Sequence, residues 1–384
     1  MTIDITNGGS DSATRQTRLL DAMGLAGGDS SKVPSTISLP LAQNRLAGIL
    51  SLINQAASEP NGVREPADPS LCTLTPGGTD ASLTNHVTYQ GYPEKFRPSP
   101  HIAIYENGRQ QRLHTLTTEG QGNIGTQDGV GKVGTGLNQV MVFWEFYTDA
   151  ENIVLDVRRG SYFNIQIDGV FQSKDRSEVP DTNGANGTVL LNFPDKRTRK
   201  ITINFNSGSN GFGGVYILPT DSVWATEETL TMGMLGDSFA GGSDSNMPGI
   251  NWTPAFAKML GVSAQFSAEG GTGILKKKAG DVGVNYIERY AEDLGHRDFD
   301  IICVPSTVND AEAYANGLLD AGVDTLYSLI RQHHPKALIL VVGSCGSVNM
   351  PSGAIEAIAT EAATLARFES KNDPLLITVP AMTA

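Results

Sequence analysis

Between about residues 85 and 222 the chain is a succession of short runs in which apolar and polar positions alternate, separated by clusters of Gly, Asn, Asp and Pro. The runs VMVFWEFYT, NIVLDVR, YFNIQIDG, TVLLNF, KITINF and GVYILP send every second side chain to one face, the pattern of a half-buried strand. No helical period interrupts these six runs, so a β-sandwich, jelly-roll-like in type, is expected here. The Gly-rich stretch GQGNIGTQDGVGKVGTG lacks the strand before and the helix after that a phosphate-cradling loop needs, and it reads as turns.

After Trp224 the period changes. Continuous apolar runs, TLTMGML, VSAQFSAE, DFDIICVPS, ALILVVGS and PLLITVP, alternate with helical stretches at 252–260, near 283–294, from about 310 onward, and through Ile355 to Phe368. Strands apolar on both faces and alternating with helices define a parallel sheet covered on both sides. In such a sheet chemistry gathers at the carboxyl ends of the strands. Ahead of both regions, Leu46, Ile49, Leu50 and Ile53 follow i, i+3, i+4, i+7 spacing after Pro40 and mark one amphipathic helix. That helix either packs on its own chain or serves as a docking and oligomerisation segment. The expected organisation is mixed: an N-terminal arm over 1–84, a β-sandwich over 85–224 and an α/β three-layer domain over 225–384.

A length of 384 residues agrees with more than one hydrophobic core. The 28 basic and 41 acidic residues leave a net charge of −13, which argues against nucleic acid as a partner, since phosphate binding rests on Lys and Arg density. No run reaches the roughly 18 apolar residues of a membrane helix, so no membrane partner is expected. The start MTIDITNGGSDSATRQTR has neither the basic cap nor the apolar run of a secretory signal. Cys72, Cys303 and Cys345 form no metal-ligand spacing and no even disulfide set, and the last two sit in apolar runs where Cys is a small core residue.

The candidate chemistry lies where apolar strands end. TMGML runs into Gly236-Asp237-Ser238, which places a serine hydroxyl just beyond a strand's carboxyl end. Gly28-Asp29-Ser30 repeats the tripeptide in a polar segment with no strand before it, so context carries the assignment. VSAQFSAE leads to Gly270-Gly271-Thr272-Gly273, and FDIICVPS to Thr307-Val308-Asn309-Asp310. Backbone N–H groups at a glycine turn and an Asn amide are the donors that hold the negative oxygen of an acyl-transfer intermediate.

These blocks, GDS at the first strand end, Gly-x-Thr at the second and Asn-Asp at the third, resemble the SGNH/GDSL hydrolase family over about 229–384. The resemblance implies a flavodoxin-like fold and a serine esterase that needs neither metal nor cofactor. It implies Ser238 as nucleophile and, through its N–H, first oxyanion donor, with Gly270 as second and Asn309 as third. Gly271 competes with Gly270, because one sequence does not fix the register of that turn. The sandwich, ending YILPTDSVWAT, is similar to the carbohydrate-binding-like jelly rolls ahead of certain carbohydrate and phage SGNH esterases. That similarity implies a polysaccharide substrate carrying O-acetyl groups. With the polar arm it also implies a phage tail-associated homo-oligomer, a trimer being the usual form there, although a cytoplasmic setting fits the same features.

Two positions depart from the family pattern. Thr307 stands where the third block usually has Gly, and no Asp-x-x-His follows the last strand before Ala384, so the chain is expected to stop short of its proton shuttle. His86, His101 and His114 fall in or before the sandwich, while His296, His333 and His334 precede the third and fourth strands, at the wrong edge of the sheet. Asp293-Leu294-Gly295-His296 spells D-x-x-H on that edge and reads as a solvated loop. Lys276-Lys277-Lys278 reads as a solvated face, and Trp252 as a core residue beside a loop that walls the pocket. A non-catalytic structural or glycan-binding protein on the same scaffold is the alternative to an esterase.

Overall fold

The computed structural model describes residues 45–52, 66–88, 91–98, 104–106, 109–111, 142–158, 162–179, 186–205, 211–227, 230–240, 252–268, 270–277, 285–295, 298–343 and 354–380. Gly28-Asp29-Ser30, the glycine-rich stretch after residue 119, Ile53, His101, His114, His296 and Cys345 lie outside them, as does the side chain of Trp252. No helix among the described residues is long and apolar enough to cross a membrane.

Residues 73–224 form two seven-stranded antiparallel sheets. The first runs Thr73–Pro76, Asn186–Asn192, Asn152–Arg158, Gly211–Ile217, Arg109–Gln111, Ile104–Glu106, with Asn85–Thr88 also paired to Gly211–Ile217. The second runs Ser177–Glu178, Tyr162–Ile167, Arg199–Phe205, Val142–Thr148, Val223–Trp224, with Arg97–Pro98 and Val170–Phe171 at its sides. Alternation does the sorting: Trp144 and Phe146 face Ile203 and Ile201 across one pair, Leu155 and Val157 face Val215 and Phe212 across another, and all are buried. The sheet begins at Thr73, inside the segment that the sequence assigned to the arm.

The α/β region has five parallel strands, β1 (Thr231–Gly236), β2 (Ser263–Ala268), β3 (Ile301–Pro305), β4 (Leu338–Val342) and β5 (Leu376–Val379), in the order β2-β1-β3-β4-β5. The order reverses at β1, and in open sheets of this kind ligands bind beyond the strand ends at that reversal. Two helical faces cover the sheet. Tyr286 and Tyr290 of α3 (Tyr286–Asp293), Val323, Leu326 and Ile330 of α5 (Leu319–His333) and Phe368 of α6 (Ala354–Glu369) pack with Ile302, Val304, Ile339 and Val341. On the other side, Ala257 and Leu260 of α2 (Trp252–Leu260) pack with Met232, Met234, Phe266, Ile301 and Leu338. The long helix expected from about 310 is two helices, α4 (Ala311–Ala315) and α5, separated by Gly317 at φ +69°, a conformation that ends a helix and that glycine adopts without strain.

Helix α1, residues 45–52, joins the second of these faces. Leu46 and Ile49 are buried in the same cluster as Leu338, Leu340 and Leu375. Arg45 Nε donates to the Lys336 carbonyl at 2.5 Å, and Arg45 Nη2 to Asp300 at 3.2 Å. The apolar stripe of this helix is therefore used within its own chain.

The sandwich and the α/β region meet through a polar contact. The outer face of the second sheet presents Gln166 and Asn204, both buried, and Lys258 of α2 donates to Gln166 and, at 2.7 Å, to Asn204 Oδ1. Burial pulls the pKa of this ammonium down to about 7, with Glu145 opposing the fall and Lys200 adding to it. Because the folded-state value lies below the ordinary 10.5, the unfolded chain holds a proton between the two values that the folded chain has released. Stability therefore gains as pH rises through that window. Lys258→Met removes this contribution, so its urea midpoint should climb less steeply than that of the parent chain from about pH 7 to about pH 10. Parallel curves for the two proteins would refute the assignment.

Candidate active site

The carboxyl ends of β1, β2 and β3 are tied to one another by side chains that follow each strand. Gly236 closes β1 onto the next turn so tightly that a Cβ there would lie 2.0 Å from the Ala240 Cβ, which leaves glycine as the residue that fits. Asp237 follows, almost wholly enclosed, and Ser238 is half-buried in the turn beyond it. One Asp237 oxygen accepts from Phe239 N at 2.9 Å, which folds the turn locally. The other accepts from Thr307 Oγ1 at 2.8 Å and from Asn309 Nδ2 at 3.3 Å, both beyond β3.

Asn309 also reaches the second strand end, donating to the Thr272 carbonyl at 2.8 Å. Thr307 caps the short 3-10 turn Val308–Asp310, its hydroxyl accepting from Asn309 N at 3.1 Å. The residue that departs from the family pattern thus orients Asn309 and binds Asp237 with one hydroxyl. Asp310 is buried and accepts from the N–H groups of Ile274, Leu275 and Lys276 at 2.6, 3.0 and 2.9 Å, fixing the loop that leaves Thr272. Gly270 and Gly271 form the turn before Thr272, with Gly271 at φ +78°.

Burial pushes the Asp237 carboxyl above the ordinary carboxylate range, against the pull of hydrogen bonds from Thr307, Phe239 and Ala240 and of the Arg289 charge. Burial raises Asp310 as well, opposed by its three backbone donors and reinforced by the nearby Asp237.

Ser238, Gly270 and Asn309 therefore stand at three neighbouring strand ends of one sheet edge. The described histidines do not join them. His333 and His334 end α5, ahead of β4, where His334 Nδ1 lies 2.6 Å from Tyr290 Oη and His333 Nδ1 lies 3.1 Å from the Gly295 carbonyl. His86 is in the sandwich, stacked on Tyr216 at 3.8 Å and 3.4 Å from Asp156. Asp293, read from sequence as part of a solvated loop, is 1% exposed and accepts from Ser267 Oγ at 2.5 Å. The reason is Arg289, one helical turn back and equally buried, which enters the interior with it. Lys276 and Lys277 of the basic run pair with Glu312 and Glu288. Cys303 is buried, and desolvation raises its thiol pKa far above the ordinary value.

Arg289, Thr307, Asp310, Asp237 and Thr272 hold the site together, and sequence reasoning gave none of them a role in it. A signal for the first was present: Tyr286, Arg289, Tyr290 and Asp293 are spaced i, i+3, i+4, i+7, so a basic and an acidic residue lie on the apolar stripe of one helix.

No family model matches the chain, and no curated protein matches it by sequence. Solved structures do match. A salicylyl-acyltransferase from a tetracycline biosynthetic pathway aligns with a TM-score of 0.53 at 12% identity, over 81% of this chain and 85% of that one. A family two carbohydrate esterase from Clostridium thermocellum in complex with cellohexaose aligns with a TM-score of 0.50 at 15% identity, over 66% of this chain and 84% of that one. At these identities the likeness establishes the fold alone, one shared with these two proteins.

Thr307 allows the hydrogen-bonded tie to be measured separately from its volume. Thr307→Val keeps the shape, takes the shorter of two donors from the Asp237 oxygen and strands the Asn309 N–H, and should cost about 1–3 kcal/mol in urea unfolding. Thr307→Ser, which keeps the hydroxyl, should cost less. An equal loss in both variants would assign the effect to packing.

Proposed function

We propose that the chain is a serine-type carboxylic ester hydrolase that removes O-acetyl groups from a polysaccharide. The observation that carries this reading is the convergence on Asp237 and Thr272, which brings the Ser238 turn, the Gly270 turn and the Asn309 amide to one sheet edge. In the reaction Ser238 Oγ attacks the acetyl carbonyl, and the N–H groups of Ser238 and Gly270 with Asn309 Nδ2 receive the oxyanion. Gly271, beside Gly270 in the turn, is the other register for the second donor. The sugar oxygen leaves with a proton, and water then releases acetate from the acyl-serine. Ser238 needs a base within hydrogen-bond reach at this edge, and that base is a group other than His86, His333 and His334. The glycan substrate is supported by the fold shared with the carbohydrate esterase bound to cellohexaose.

A second reading, glycan binding without turnover on the same scaffold, is favoured by one observation: both amide hydrogens of Asn309 are already engaged, by Asp237 and Thr272. An oxyanion would have to displace the longer of the two bonds.

Acetate release from acetylated glycans and from p-nitrophenyl acetate separates the readings. Under the esterase reading, Ser238→Ala lowers the rate at least roughly 1,000-fold, and a serine-directed phosphonate modifies Ser238 in the parent chain. Acetylated glycan that binds parent and Ser238→Ala alike, without acetate release or labelling, would establish the non-catalytic reading.

A further inference from the structure

We infer that Arg289 is a positioning residue for acyl transfer, holding the Ser238 turn and the Gly270 turn in fixed register; the inference rests on the reading of Ser238 as nucleophile. Arg289 is 1% exposed and lies beneath the two strand ends that carry those turns. Its Nη2 donates to the Gly236 carbonyl at 2.5 Å, two residues before Ser238, and to the Ser267 carbonyl at 3.3 Å near the end of β2. Its Nη1 donates to Thr272 Oγ1 at 2.9 Å, two residues after Gly270, and its Nε to Ser267 Oγ at 3.0 Å. The Tyr286 ring lies 4.7 Å from the guanidinium carbon and fixes its plane.

A planar fork that binds the Gly236 carbonyl, the Ser267 carbonyl and the Thr272 hydroxyl can satisfy them together in only one arrangement. Thr272 makes the arrangement continuous, because its hydroxyl accepts from Arg289 while its carbonyl accepts from Asn309. The three oxyanion donors are thus referred to one buried cation, without any of them touching it. Its charge also acts on the site directly: Asp237 is stabilised as a carboxylate by Arg289, and an oxyanion forming beside Asp237 would feel the same field.

Replacing a buried ion pair by apolar groups of similar volume is often neutral or stabilising, whereas removing one partner is strongly destabilising. Asp293 is the partner here, 4.0 Å from Nε and equally buried. The protein contains a second buried pair of the same chemistry, Arg331 and Asp373 at 2.5 Å, which joins α5 to the chain entering β5 at the opposite edge of the sheet. That pair serves as an internal control.

The experiment compares parent, Ser238→Ala, Arg289→Lys, the double variant Arg289→Met/Asp293→Asn, and the control Arg331→Met/Asp373→Asn. It measures kcat and KM for p-nitrophenyl acetate together with cooperative urea unfolding. The expected result is a kcat lowered roughly 100-fold in Arg289→Met/Asp293→Asn, with KM within about threefold of the parent, in a protein that still unfolds cooperatively. Arg289→Lys should recover part of that loss, and the control pair should leave kcat unchanged. A parental kcat in the folded Arg289→Met/Asp293→Asn protein overturns the inference. So does an equal kcat loss in the Arg331→Met/Asp373→Asn control, or a loss seen only where cooperative unfolding has gone. Equal rates in parent and Ser238→Ala would instead overturn the esterase reading, and the inference with it.

Discussion

An aspartate as deeply enclosed as Asp237 is tolerable only if donors are brought to it, and at the end of a parallel strand the nearest donors belong to other strands. Thr307 and Asn309 supply them from beyond β3, and the N–H of Phe239 supplies one from the same turn. The rest of the site depends on this constraint. Once Asp237 is satisfied from two directions, Asn309 is oriented toward Thr272, the Thr272 loop is fixed from above by Asp310, and Arg289 meets it from below. Each tie is an ordinary hydrogen bond. Together they leave the three turns little freedom to move independently, which is what preorganised donors require.

The sandwich is joined to this arrangement through α2. Thr253 near the start of that helix donates to the Ala240 carbonyl at 2.9 Å, in the turn that holds Ser238, while Lys258 near its end enters the polar outer face of the second sheet. The helix that follows the Ser238 turn is therefore held at one end by the α/β sheet edge and at the other by the sandwich. At that contact Gln166 and Asn204 are buried against one ammonium, and each satisfied polar group there depends on hydrogen-bond geometry.

Much of the fold was legible because burial imposes a period on the sequence. Alternation located Val142–Thr148, Asn152–Arg158 and Arg199–Phe205, and continuous apolar runs located β1 to β5, since each kind of strand has a different number of dry faces. Elements too short to complete a period were not legible. Arg97–Pro98, Val170–Phe171 and Val223–Trp224 have two residues each, and Thr73–Pro76 ends in a proline. In the site, residue order placed Ser238, Gly270 and Asn309 at adjacent strand ends, but it did not show what holds them. Thr307 was read as a departure from the family pattern rather than a tie, and Asp293 as part of a solvated loop, because a polar residue in sequence gives its type and not its neighbour. The partners that settle both cases, Asp237 for Thr307 and Ser267 for Asp293, are 70 and 26 residues away.

Helix α1 has one further implication, for how this polypeptide can be divided. Its leucine and isoleucine face belongs to the layer that covers Leu338 and Leu340, although it precedes the sandwich in the chain and those strands follow it. The α/β unit is therefore discontinuous: its sheet is built from residues after 230 and part of its roof from residues near 46. A fragment begun at the sandwich boundary would expose an apolar strip to water, and it should precipitate or self-associate unless a peptide spanning 45–52 is returned to it in trans.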